Sequence, residues 1–245
     1  MRTLVFTKRC AREILRDPLT LIFGAGFPVV LLLMLSIMNK NLPGEAPPLF
    51  AIDQLLPGIV VFGFSFLALF GGLLLSCDRD TAFLTRLFTS PLGASGFLLG
   101  YALPLLPLGL AQATICTLIG FAFDLTPTPR LLLMLLALLP ALLLFVSLGL
   151  LFGALLNSKQ VGSICGALLT NLSAWLSGTW FSLELLGKGF KTFAYCLPFA
   201  NAVDAARLAL SGDAEGLWRH LLIVCVWALA AAVAAVLVFR RRMKS

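Results

Sequence analysis

The 245 residues are 60% apolar and 12% charged, with a mean hydropathy of +1.02, whereas an ordinary soluble domain is roughly 25% charged. This composition excludes a water-soluble globular protein and points to an integral membrane protein. The net charge of +7 does not make the chain a nucleic-acid binder, because the cations are split between chain ends and short loops without interleaved aromatic residues to stack on bases.

Several apolar stretches reach the roughly 20 residues that a helix needs to cross about 30 Å of hydrocarbon. They are continuous rather than alternating, so the expected fold is an all-α membrane bundle and not a barrel. The first 17 residues are too polar to span. At about 100° per residue, Lys8, Arg9, Arg12, Glu13 and Arg16 fall in one arc, and Leu4, Ala11, Ile14 and Leu15 in the opposite one. Val5 and Phe6 break this pattern. The arcs predict an amphipathic helix over residues 1–17, lying in the inner membrane interface with its cations near anionic headgroups; a solvated extension is the alternative.

Asp17-Pro18 marks the bend into a first span at residues 19–38, since proline suits a first helical turn. Residues 39–55, with Pro43, Pro47 and Pro48, read as an outer loop, and a second span follows at 56–76. A third covers 96–123, where Pro104 and Pro107 predict kinks, and a fourth covers 131–156, with Pro140 inside. After a tight polar turn at 157–160 come a fifth span at 161–181 and a sixth at 218–239.

Two connections stand out. Residues 78–95 carry Arg79 and Arg86 against Asp78 and Asp80 and are punctuated by Pro91 and Gly93. Charged groups and unpaired backbone cost several kcal/mol each in hydrocarbon, so this segment faces water and offers a handle to something there. Residues 182–217 are more polar than the spans, and within them 190–198 and 199–210 predict short helices dipping partway into the bilayer. The amino end, residues 78–95, the 157–160 turn and the carboxyl tail hold twelve of the 18 Lys and Arg, which places both termini in the cytoplasm.

The spans hold no Asp, Glu or Lys at mid-depth, which disfavours an ion-coupled secondary transporter. Their polar residues are neutral (Gln112, Thr170, Asn171, Ser173 and Ser177), suited to lining a pathway or to bonding between helices. His220, at the outer start of the last span, reads as an interfacial polar residue. Gly96 and Gly100, Gly149 and Gly153, and Gly162 and Gly166 permit close helix approach, within one protomer or across a dimer seam. The six cysteines are far apart, form no CxxC, and read as small buried hydrophobes rather than a disulfide or metal set. Gly187-Lys188-Gly189 lacks both the first glycine and the Ser or Thr of a phosphate loop. With no catalytic constellation, the chain reads as a non-enzyme without a cofactor of its own, and energy for uphill movement enters from elsewhere.

Four stretches resemble the membrane permeases of type-2 ABC exporters. They are the basic amino-terminal helix ending in Arg16-Asp17-Pro18; Leu56-Pro57-Gly58; Thr85 to Leu92 followed by Phe97-Leu98-Leu99-Gly100; and Ser177-Gly178 followed by Leu197-Pro198-Phe199, Ala202-Val203 and Ala206-Arg207. Tyr101 departs from the lysine usual after Leu-Leu-Gly. The resemblance implies a single transmembrane domain over 1–245 that pairs with a second permease and binds ATP-hydrolysing subunits, which hold the ATP and Mg. Residues 78–95 would contain a coupling helix, with Arg79, Asp80, Arg86 and Pro91 at the ATPase and Arg9, Arg12, Glu13 and Arg16 of the interfacial helix beside it. Residues 182–217 would re-enter from the outer side, and Phe62, Phe66, Asn171 and Trp175 would line the path. The implied cargo is a hydrophobic drug or lipid-like molecule moved out across a bacterial inner membrane. A lipid-linked glycan, a secondary transporter and a membrane-embedded lipid enzyme are the alternatives.

Overall fold

The computed structural model describes residues 2–41, 48–81 and 93–243, which contain helices and no strand. In chain order these are α1 (Arg2–Arg16), α2 (Pro18–Asn41), α3 (Ile52–Asp80), α4 (Ala94–Phe123), α5 (Arg130–Leu155), α6 (158–176), α7 (Lys188–Cys196), α8 (Pro198–Ser211) and α9 (Ala214–Arg242). A helix is the one open-ended way for an apolar segment to satisfy its own backbone in lipid. Five of the described helices, α2, α3, α4, α5 and α9, are long and apolar enough to cross a membrane.

The expected fifth span falls outside that group, because Lys159, Gln160, Thr170, Asn171 and Ser173 dilute its apolarity, and its helix stops at Leu176 rather than at 181. Residues 158–179 nevertheless run the length of the bundle. Ser158 meets Asp80 at the last turn of α3, and Thr179 lies against Gly58 near its start. Proline sets the irregularities elsewhere. A π-turn at Ile22–Gly26 precedes Pro28, which has no N–H to give the Gly24 carbonyl, and α5 is interrupted at Leu138 just before Pro140. α4 continues through Pro104 and Pro107.

α3 is the central helix, with every residue from Leu55 to Ser65 buried. Its crossing with α5 brings backbone against backbone. A Cβ on Gly149 would sit 2.1 Å from the Ala68 carbonyl oxygen, and one on Gly153 would sit 2.6 Å from that of Gly72. The Gly149/Gly153 spacing therefore packs helices within one chain.

α1 corrects the arcs read from the sequence. Phe6, Cys10 and Ile14, each one turn from the next, form its buried face, while Leu4, Val5 and Leu15 are exposed. Phe6 packs edge-on against Phe97 and Tyr101 of α4, with ring centroids 5.4 and 5.0 Å away, in a space left open by Gly100. Two apolar stripes thus flank the cations, one turned to the protein and one left open.

Candidate functional site: a charged junction at one end of the bundle

The last turn of α3 carries Asp78, Arg79 and Asp80, and each meets a different partner. Asp78 is buried, with 8% of its side chain exposed. A carboxylate so placed needs strong donors on its oxygens. Arg9 of α1 supplies a fork, Nη2 to Oδ1 at 2.8 Å and Nη1 to Oδ2, and Tyr101 of α4 donates its hydroxyl to Oδ2 at 2.6 Å. Arg9 Nη2 also reaches Glu13 Oε2 at 2.8 Å. One carboxylate thereby joins α1, α3 and α4. Its hydrogen bond holds the Arg9 guanidinium above the ordinary arginine range, while burial pushes the neighbouring Cys10 thiol up to about 12. Burial also raises the Glu13 carboxyl, against the pull of Arg9.

Arg79 turns the other way. It donates Nη1 to the Ala154 carbonyl and Nη2 to that of Leu156, each at 2.6 Å, and so satisfies carbonyls that the end of α5 leaves open. Asp80 accepts from the Ser158 backbone N–H at 3.2 Å and from its hydroxyl at 2.6 Å, next to the capping box of Asn157 and Gln160 that starts α6. Arg79 and Asp80, expected at the surface of a partner, are thus engaged inside the chain, where they fix α3 to α5 and α6. Arg242, in the last turn of α9, approaches the Leu155 carbonyl at 3.5 Å.

The same end presents Arg12 and Arg16, both exposed on α1. Arg86 and Pro91 lie outside the described residues. Among the described residues, the two groups of cations read from the sequence lie at the two ends of the bundle. α1, residues 79–80, the α5–α6 turn and the end of α9 share one end, and Arg130 and Arg207 sit at the other.

At that opposite end Arg207 of α8 is largely buried and donates Nε to the Gln54 carbonyl at 3.0 Å and Nη2 to that of Gly178 at 3.2 Å, with Asp204 at 3.5 Å. It ties α8 to the start of α3 and to the turn after α6, where Gly178 takes φ +67. Tyr195 of α7 donates to Asp204; burial, aided by this hydrogen bond, raises the phenol above its usual range. Asn201 spends its amide N–H groups on the Tyr195 and Leu197 carbonyls at 2.9 and 2.7 Å. Its oxygen therefore accepts from His220 Nδ1 at 2.8 Å, which assigns the ring proton to Nδ1. Residues 182–217 do form two short helices, α7 and α8, as expected.

The residues expected along a path separate into two places. Phe62 and Phe66 join Phe23, Phe27 and Trp180 in an aromatic cluster whose ring centroids lie 5.3 to 6.4 Å apart. Asn171 and Trp175 are exposed on α6. Sequence reasoning missed the pairing of Asp78 with Arg9 and Tyr101 and the role of Asn201. For Tyr101 and Asn201 the available signal was a polar side chain set within an apolar helical stretch; for Arg9 and Asp78 there was only opposite charge.

No curated protein matches the chain. A family model described as the ABC-2 type transporter matches residues 1–210, which takes in α1, the charged junction at the end of α3 and almost all of α8. The chain therefore belongs to the ABC-2 type transporter family.

Proposed function

We propose that this ABC-2 permease exports a hydrophobic or amphipathic molecule across a bacterial inner membrane, driven by ATP that a separate subunit binds with Mg and hydrolyses. Family membership implies an ABC ATPase partner. In this reading the chain crosses six times, and α6 is the span whose neutral polar residues disguise it. Both termini are cytoplasmic, as favoured by the sequence's placing of twelve of the 18 Lys and Arg in the amino end, residues 78–95, the 157–160 turn and the carboxyl tail. α1 lies in the interface, residues 182–217 close the outer end, and two permeases pair with the path between them along α3 and α6. Phe62, Phe66, Asn171 and Trp175 then line that path.

The observation that carries this reading is the junction at Asp78. Residues 78–95 begin where Asp78 is bonded to α1 and α4 and where Arg79 and Asp80 are bonded to the α5 and α6 ends. A push on that segment reaches five helices through short polar contacts rather than through slack loops. Arg86 and Pro91, with Arg79 and Asp80 at the root, form the coupling segment. Arg86→Glu is expected to abolish cargo export and cargo-stimulated ATP hydrolysis in the assembled transporter while membrane insertion stays normal. Normal turnover in that variant would overturn the coupling role.

A further inference from the structure

Beside the junction, two cavities share the side chains of Glu13 and Asp17. The first, about 630 Å³, is lined by Arg9, Arg12, Arg16 and Pro18 in addition to the shared pair. The second, about 350 Å³, is walled by Ile14, Leu19, Phe70, Leu73 and Leu74. A basic chamber therefore lies beside an apolar one, at the corner between α1, the start of α2 and the last turns of α3.

The acids in the basic chamber are already committed. Glu13 accepts from Arg9, and Asp17 caps α2 by accepting from the Leu19 N–H at 3.1 Å and from the Thr20 hydroxyl. The Arg9 charge is answered by Asp78. Lys8, Arg12 and Arg16 recur every fourth residue along one exposed row of α1. Among the described residues, Arg12 and Arg16 donate to no protein acceptor. Two guanidiniums one turn apart suit a phosphate, which each is able to bind through paired N–H groups. Leu15 and Leu19, exposed by 66% and 57%, continue the apolar surface outward from the same corner.

We propose that this corner is a discrete binding site for one anionic phospholipid, its phosphate on Arg12 and Arg16 and one acyl chain entering the Ile14, Leu19, Phe70 and Leu74 chamber. A free phosphate would leave the apolar chamber empty, and an uncharged lipid would leave the two guanidiniums unanswered. The bound lipid would fill the angle between α1 and α2 next to Arg9 and so brace the junction that residues 78–95 act upon. The site rests on the reading of α1 as a membrane-surface helix under the proposed function.

The test is native mass spectrometry of the purified full chain in detergent with added dioleoylphosphatidylglycerol, dioleoylphosphatidylcholine or inorganic phosphate. One phosphatidylglycerol per chain is expected to be retained, and Arg12→Gln with Arg16→Gln to weaken retention roughly 30-fold, the effect of two cation contacts near a lipid surface. Arg240→Gln with Arg241→Gln, which removes equal charge elsewhere at the same end, is expected to leave retention unchanged. Leu19→Gln, an exposed change that adds no charge, is expected to weaken it through the apolar chamber. Unchanged retention in the Arg12 and Arg16 variant, equal loss in the Arg240 and Arg241 variant, equal retention of phosphatidylcholine, or displacement by millimolar inorganic phosphate would each overturn the lipid site. Labelling of Lys8→Cys by an impermeant thiol reagent in oriented vesicles, with the exposed native Cys77, Cys196 and Cys225 replaced by serine, tests the sidedness separately. Labelling from outside would overturn the cytoplasmic placement, and phosphatidylglycerol retention would still decide the site.

Discussion

Asp78→Asn is expected to lower the melting temperature of the detergent-solubilised chain and to uncouple ATP hydrolysis from export. Asparagine keeps the shape of the side chain but removes the charge, and it replaces one acceptor oxygen with an N–H₂ group that confronts the donors of Arg9 or Tyr101. Breaking a buried ion pair from one side costs about 3 to 5 kcal/mol, and the lower end applies here because Arg9 retains 34% side-chain exposure. Tyr101→Phe removes a single hydrogen bond to a charged acceptor and should cost about 1.5 kcal/mol. Adding Arg9→Gln to Asp78→Asn should recover part of the loss, because both ends of the pair are then neutral; the double-mutant cycle should give a coupling of about 1 kcal/mol or more. A melting temperature equal to that of the unaltered chain would show that the junction does not hold the helices together.

Gly149→Ala is expected to be at least as damaging, through packing alone. The added methyl carbon would stand 2.1 Å from the Ala68 carbonyl oxygen and 2.7 Å from its carbonyl carbon and Cα, so no side chain is able to swing aside and the two helices must separate. Overpacking of this kind costs about 3 kcal/mol. It should appear as a sharp drop in folded yield and melting temperature. Gly162→Ala is the matched control, since nothing lies within 4 Å of its added carbon. There the better helix propensity of alanine should leave stability unchanged or raise it by about 0.5 to 1 kcal/mol. Equal yields for Gly149→Ala and Gly162→Ala would refute the close crossing.

The contrast between those two glycines shows what the sequence conveys and what it withholds. Spacing alone makes Gly149/Gly153 and Gly162/Gly166 alike, yet only the first pair meets a neighbouring backbone. The long apolar runs, the Asp17-Pro18 bend and the short helices after residue 182 were legible because they depend on local composition and on proline. The buried face of α1 was not. In a membrane chain, apolar residues turn to lipid as readily as to protein, so nothing local separates exposed Leu4 and Leu15 from Phe6, Cys10 and Ile14, which provide the buried face. α6 illustrates the reverse: its polar residues bond within their own helix, Thr170 to the Cys165 carbonyl and Asn171 to that of Ala167, and so weaken the apolar signal of a segment that runs the length of the bundle.

At the candidate site, the sequence marked a cluster of charges but not their partners. Arg9 and Asp78 are 69 residues apart, and no local period links them. Tyr101 was visible as a departure from the lysine of the resembling motif, and the structure gives that departure a use. A phenol reaches Asp78 from within a fully buried position where an ammonium would face the Arg9 guanidinium across one carboxylate. Arg79 and Asp80 carry the right charges for a docking surface, and their neighbours in space, Ala154, Leu156 and Ser158, recruit them for capping.

The coupling role depends on which end of the bundle an ATP-hydrolysing subunit grips. A photoreactive amino acid placed at position 86, and separately at position 188 at the other end, should be irradiated in native membranes and the adducts identified by mass spectrometry. An adduct with an ABC ATPase from position 86 and none from position 188 is the predicted result. An ATPase adduct from position 188, or its absence from position 86, would contradict it.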